Sequence, residues 1–277
     1  MKLRTGLVFS ACLALTLTGL LAAPQAQARD MAEAAPDVRV ASYNVKGWHL
    51  TVGGFDGRVR MRESLNRIEA KGIGIVGLQE FESPQAEVVR NDGTWDLYRA
   101  DANSEYAGGN YGGNAIMWKD HAWDLMSSFQ LHAKVGNRRE LHMPIVVLKN
   151  TANGERVAVM NVHNPSGADA ADWRAALRQL EREKIRELKA NHDHVLLLGD
   201  FNENEAAACF FTTNEVMKAA TGYKANANGS CPVSGYPGVD WIFGAGQIGF
   251  AGWEVDRTFE ERNWSDHPLV SAFYTYN

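Results

Sequence analysis

The chain has 277 residues, 45% of them hydrophobic and 10% aromatic. That is enough for one substantial core, and it excludes a disordered or collagen-like protein. A formal charge of −5 at pH 7 excludes an overall basic field, so any contact with nucleic acid must come from a local patch, for which only "NRRE" (137–140) and the arginines of 174–189 are candidates.

The first elements concern targeting. Lys2 and Arg4 form a positive region, "TGLVFSACLALTLTGLLAA" an apolar one, and "AQA" (26–28) a small-x-small cleavage site. Residues 1–28 therefore read as a signal peptide cleaved after Ala28, with an uncleaved anchor as the alternative, and the protein is expected to be secreted. Cleavage removes Lys2 and Arg4 and no acid, so 28 basic residues against 33 acidic become 26 against 33, a net −7. No later segment is long and apolar enough to span a bilayer, so no stable membrane insertion is expected. Residues 29–37, small, acidic and proline-containing, read as a linker, and 38–277 as one domain.

"VRVASYNV" (38–45) alternates and is β-rich, hence a strand. "RVRMRESLNRIEAKG" (58–72) spaces Met61, Leu65 and Ile68 as a helix does, with Gly72 as the stop. "IGIVGLQE" (73–80) is a second buried strand. Short strands follow near 96–100, 114–118, 125–131, 144–149 and 156–162. Residues 169–191 form the strongest helix: Trp173, Leu177, Leu180, Ile185 and Leu188 make its apolar stripe, and its charges read as a solvated face. Strand 194–199 comes next, then a loop region to 238. "GVDWIFG" (238–244) and "PLVSAFYTY" (268–276) look like closing strands. Helices fall between more numerous strands, which indicates an α/β or α+β fold.

Cys209 and Cys231 remain after export. An even count in a secreted protein reads as a disulfide, with two free buried thiols as the alternative.

One layout recurs six times. Asn44 follows "ASY"; Glu80 ends "IVGLQ"; His163 ends "VAVMNV"; Asp200 and Asn202 follow "VLLLG"; Asp240 opens "VDWIFG"; Asp266 and His267 precede the last strand. Each is a carboxylate, amide or imidazole mounted beside an apolar strand, where α/β proteins build their sites. Glu80 and Asp266 with Asn44 offer oxygen donors suited to Mg²⁺, with Mn²⁺ or Ca²⁺ also compatible. No cysteine cluster or HExxH motif favours zinc. His163 and His267 supply acid and base near neutral pH, and Asp240 is placed to orient one of them. Together the set suits hydrolysis of a phosphate ester.

"SYNVKGW", "GLQE", "NVHNPS", "LLGDFN", "VDWI" and "SDHP" resemble, in order and spacing, the motifs of the endonuclease/exonuclease/phosphatase superfamily, the deoxyribonuclease I-like fold, over 38–277. The resemblance implies a four-layer α/β/β/α sandwich of two mixed sheets flanked by helices. It implies divalent-metal ligation by Asn44, Glu80 and Asp266, and a catalytic set of His163, His267, Asp240, Asp200 and Asn202. The implied activity is a metal-dependent phosphodiesterase, first of all a nuclease on extracellular DNA or RNA, acting as a monomer. A sphingomyelin or phospholipid phosphodiesterase, an inositol-phosphate phosphatase and a non-catalytic binding protein on the same fold are the alternatives. His163, where abasic-site endonucleases carry tyrosine, is similar to secreted deoxyribonuclease I, as are the cysteine pair and "HNPSGADA". That enzyme pairs its first histidine with a glutamate; "GNYGGNAIMW" (109–118) has no acid, which leaves the partner of His163 open. Arg139 resembles an arginine that precedes a proline strand in the nucleases.

"NHDH" (191–194) imitates a ligand pair but falls at the far end of its strand, so a surface role is expected. His121, His132 and His142 look scattered and structural. "AGGNYGGN" (107–114) lacks the Lys-Ser/Thr of a P-loop and is expected to form a rim loop, with Tyr111 or Asn114 near substrate.

Overall fold

The structure is a computed structural model and describes residues 38–50, 53–100, 113–233 and 235–276. The expected signal peptide, the linker and most of the 107–114 loop, Tyr111 included, lie outside these residues.

In chain order the elements are β1 (Val38–Asn44), α1 (Gly57–Ala70), β2 (Ile73–Phe81), α2 (Ser83–Asp92), β3 (Trp95–Arg99), β4 (Gly113–Lys119), β5 (Trp123–Ala133), β6 (Leu141–Asn150) and β7 (Arg156–His163). Then come α3 (Ala171–Asn191), entered through a single 3₁₀ turn, β8 (His194–Asp200), α4 (Glu205–Thr212), β9 (Lys218–Ala219), β10 (Asp240–Gly246), β11 (Ile248–Asp256), α5 (Thr258–Glu261) and β12 (Leu269–Tyr276).

The strands form two six-stranded sheets, β11-β12-β1-β2-β4-β3 and β5-β6-β7-β8-β10-β9. Each is antiparallel except at its centre, where β1 and β2, and β7 and β8, run parallel. The strand period of two sorts side chains between layers. Val40, Ile75, Ile116 and Trp118 face the second sheet and join Val159, Leu196 and Leu198 in the inter-sheet core. Their neighbours Ala41, Tyr43, Val76 and Leu78 face outward and pack on Met61, Leu65 and Ile68 of α1 and Val89 of α2. Leu177, Ile185 and Leu188 of α3 and Phe211 of α4 cover the other sheet. The result is the four-layer sandwich of two mixed sheets flanked by helices.

A buried amide pair ties the sheets together. Asn161 Nδ2 donates to the carbonyls of Leu78 (2.8 Å) and Ala115 (2.9 Å), and Gln79 Nε2 donates to Asn161 Oδ1 at 2.6 Å. Glycine is required on either side of this contact. A Cβ at Gly77 would meet Asn161 Oδ1 at 2.7 Å, and one at Gly199 the Val162 carbonyl at 2.4 Å.

Several elements depart from expectation. The segment assigned to loop between 200 and 238 contains α4 and β9. Helix α2 was legible in principle: Glu82 and Gln85 form a reciprocal capping box with Pro84 in the first turn. Strand β11 carries Gly249 and Gly252 and a register shift between Ala251 and Glu254, which blur its alternation; its pairing with β12 sustains it. The charges of α3 are not all solvated, since Arg174 and Glu181 are buried. Cys209 and Cys231 form a disulfide, Cα–Cα 5.4 Å, that ties α4 to the loop before β10. No helix among the described residues is long and apolar enough to cross a membrane.

Candidate active site

Strand register brings the polar strand ends together. In the second sheet Asp240 lies opposite Asp200, and Asp200 opposite His163, so the three form a row along one rim. In the first sheet Asn44 lies opposite Gln79, with Glu80 next along β2. The β12 end contributes Asp266 and His267 from the preceding loop. Lys46, Glu80, His163, Asp200, Asn202, Asp266 and His267 all line one cavity of about 1500 Å³, which Asn44 and Asp240 underlie as buried residues.

Asp200 is the hub. Its carboxylate is 1% exposed. Oδ1 accepts from the Asn202 backbone N–H at 2.9 Å, and Oδ2 accepts from Asn44 Nδ2 at 3.2 Å. The Nε2 atoms of His163 and His267 approach the same Oδ2 at 3.5 and 3.7 Å. Asn44 Nδ2 also donates to Glu80 Oε1 (3.1 Å), and Glu80 Oε2 accepts from the Gly47 backbone (3.2 Å). Asn202 Nδ2 donates to the Asn164 carbonyl at 2.7 Å. Among the described residues the acid that approaches His163 is Asp200, a neighbour in the sheet.

His267 Nδ1 meets Asp240 Oδ2 at 2.9 Å, which leaves Nε2 to face Asp200 and the cavity. Burial works against charging this imidazole, but the hydrogen bond to Asp240 and the fields of Asp240, Asp200 and Asp266 win and hold its pKa well above the usual histidine range. Asp240 is itself buried with Oδ1 lacking a hydrogen-bond partner, and burial pushes its carboxyl up. The two form one proton-sharing pair with the proton on the imidazole.

Three non-glycine residues here adopt left-handed backbone conformations: Lys46 (φ 55°), Glu80 (φ 55°) and Asn202 (φ 50°). Such conformations are uncommon outside glycine and cluster at functional sites. They turn the chain at the strand ends so that the polar side chains converge.

The donor set fits a hard cation. Glu80 and Asp266 offer carboxylate oxygens to one cavity, and the buried Asn44 amide lies beneath it, its Oδ1 accepting from the Lys46 backbone N–H at 3.0 Å. Lys46 Nζ sits 2.8 Å from Asp266 Oδ2, so this carboxylate already has a cationic partner. Burial raises the Asp266 pKa, but Lys46 and His267 outweigh it and hold the carboxyl below its ordinary value. Asp200, Asp240 and His267 also offer ligand atoms within 4.8 Å of one another, although Asp240 and His267 are engaged with each other.

Several residues escaped sequence reasoning. Arg60 of α1 is 1% exposed and clamps the site from below. Nη1 donates to the carbonyls of Val45 and Trp264 (2.9 Å each), and Nη2 to those of Lys46 (3.0 Å), Gly47 and Leu50 (2.9 Å each). One guanidinium thereby joins the loop after Asn44 to the loop before Asp266. In sequence Arg60 is one of three alternating arginines beside Met61, with nothing to mark it. Glu203 similarly draws Arg174 and Arg178 inward, which removes those arginines from the basic-patch candidates. Asn137, Arg138 and Arg139 do line the cavity, as does Asn114.

The decoys divide. His192 is half-buried and lies with His194 at the opposite end of β8 from Asp200. His194 is buried rather than on the surface, 3.3 Å from Glu155. His132 and His142 are not scattered; they meet across β5 and β6.

The family model for the "Endonuclease/Exonuclease/phosphatase family" matches residues 39–267. No curated protein matches the chain in sequence. Among solved structures, the human Nocturnin catalytic domain with bound sulfate superposes with a TM-score of 0.70 at 17% identity, over 87% of this chain and 95% of that one. A mannosyl-6-phosphatase from Bacteroides thetaiotaomicron gives 0.66 at 20% identity, over 86% and 100%. Danio rerio TDP2 complexed with a single-strand DNA product gives 0.64 at 15% identity, over 87% and 99%. At these identities the likeness establishes the shared fold.

Proposed function

Since the chain belongs to the endonuclease/exonuclease/phosphatase family of phosphoester hydrolases, we propose that it is an exported, divalent-metal-dependent phosphodiesterase acting on nucleic acid outside the cell. The carrying observation is the convergence on Asp200 Oδ2 of Asn44 and both histidine Nε2 atoms, in the cavity that Glu80 and Asp266 also line. A Mg²⁺ ion seated on Glu80, Asp266 and the Asn44 amide would polarise a phosphoryl oxygen and offset the charge that builds on it.

The chain's own groups handle orientation and protons. Asp200, held on both oxygens, orients the attacking water, and with His163 at 3.5 Å it receives the water's proton. His267, kept protonated by Asp240, donates Nε2–H to the departing ester oxygen of the phosphate as the P–O bond breaks and negative charge develops there. Asn202, in its left-handed turn, holds the loop after β8 against Asn164 and presents its amide to the phosphate.

Substrate choice rests on the groove. Its volume exceeds the roughly 300–1000 Å³ of ordinary small-molecule pockets, and Arg99, Arg138 and Arg139 line it alongside acidic residues, which puts cations within reach of a phosphate backbone. Export is supported by the sequence of residues 1–28 and agrees with a disulfide, which persists in oxidising compartments.

The test is turnover by the chain from Arg29 onward, with Mg²⁺ or with chelator, on plasmid DNA, RNA, sphingomyelin, mannose 6-phosphate and a chromogenic bis-phosphodiester. Magnesium-dependent nicking or RNA cleavage, abolished by Glu80→Gln and by chelator, is expected. Choline-phosphate release or phosphate release from the sugar alone would replace the nucleic-acid assignment. No turnover on any substrate, with ligands still bound, would make this a binding protein.

A further inference from the structure

A second constellation lies at the edge of the second sheet and reaches the groove through His142. His132 of β5 is directly opposite His142 of β6, and Glu140 precedes β6 in the connection between them. His132 Nδ1 lies 3.0 Å and His142 Nε2 2.8 Å from the same Glu140 oxygen, Oε1. The three ligand atoms lie within 4.8 Å of one another, and the rings are 4.3 Å apart between centroids. Exposure falls from 52% at His132 through 40% at Glu140 to 23% at His142, which also lines the cavity.

We propose that His132, Glu140 and His142 form a binding site for a transition-metal ion of the zinc class, separate from the hard-cation seat at Glu80 and Asp266. Two imidazoles and one carboxylate are a ligand set that favours Zn²⁺ over Mg²⁺, whereas Glu80 and Asp266 offer only oxygens. The geometry needs little adjustment. Zn–N and Zn–O bonds of about 2.0–2.2 Å at tetrahedral angles put neighbouring ligand atoms about 3.3 Å apart. The observed 2.8 and 3.0 Å separations to Glu140 must open by only a few tenths of an ångström, and the two ring nitrogens, within 4.8 Å of one another, must settle at the same spacing, by side-chain rotation. Strand pairing fixes the two histidines on a rigid mount, and β5 is an edge strand, so the ion has a path in from solvent. With three protein ligands, a fourth position is left for water or for a phosphate oxygen in the groove.

The inference does not depend on the proposed reaction, and its test reads metal binding, not turnover. The metal-stripped protein, saturated with Mg²⁺, is titrated with Zn²⁺ by calorimetry and with Co²⁺ by its visible spectrum. One Zn²⁺ per chain and a tetrahedral Co²⁺ spectrum are expected, both retained by Glu80→Gln/Asp266→Asn. His132→Gln and Glu140→Gln, which change exposed side chains, should each weaken binding at least about 100-fold, since losing even an outer partner of a metal ligand costs 10–100-fold. Absence of zinc binding at about 100 µM, or zinc lost in the Glu80/Asp266 variant and kept by His132→Gln, would overturn the assignment. In the first of these outcomes the cluster is an ion pair only.

Discussion

Glu181→Gln addresses the least expected feature of the interior. Glu181 sits in the middle of α3 with no exposure, its carboxylate beside the Asn164 amide. Burial pushes its pKa from 4.5 to about 8, against the opposing influence of Asn164 and Arg178. The folded protein therefore binds a proton at this site more tightly than the unfolded chain does. The stability this contributes is fully present below about pH 4.5 and is lost as pH rises through about 8. At about 1.4 kcal/mol per unit of pKa difference, the contribution of this site should fall by about 2–3 kcal/mol between pH 5 and 7 and a further 1–2 kcal/mol between pH 7 and 9. A glutamine has nothing to titrate. Urea unfolding at pH 5, 7 and 9 should find the two proteins similar at pH 5 and the Glu181→Gln variant more stable at pH 9. A difference between them that stays constant within about 0.5 kcal/mol across this range would refute the argument, because the proton linkage would then be missing.

His267→Ala should lower turnover of the phosphodiester substrate by about 10²–10⁴, the usual contribution of a positioned acid or base, with little change in unfolding; retained activity would remove His267 from the mechanism. Asp240→Asn should lower the pKa of His267 toward its ordinary value, readable by NMR titration of the imidazole, and an unmoved titration would contradict the pairing. Arg60→Met should cost at least about 3 kcal/mol in urea unfolding, since a buried guanidinium loses five bonds to carbonyl oxygens. A loss under about 1 kcal/mol would show that the two site loops hold without the clamp. Cys209→Ser/Cys231→Ser should cost about 3 kcal/mol for a bridge spanning 22 residues, with metal-dependent turnover preserved; an unchanged midpoint would count against the bridge.

Much of this protein is written in neighbouring residues. Alternation marked β1, the uninterrupted apolar runs marked β2 and β8, and helical spacing marked α1 and α3, because each pattern reports a face buried against one layer. The polar residues at six strand ends were visible for the same reason: a polar group at the end of an apolar run has nowhere to go but the rim. Only the tertiary structure decided what those ends meet. That Asp200 stands between Asp240 and His163 follows from the register of strands far apart in the chain. Glu181 reads as a surface charge and nothing marks Arg60, because the helical pattern tells only that a face exists, not that a loop folds over its margin. The left-handed turns at Glu80 and Asn202, and the meeting of His132 with His142, likewise carry no local signal. They arise when packed sheets hold particular side chains a few ångströms apart, a constraint carried by strand pairing and packing rather than by residues adjacent in the chain.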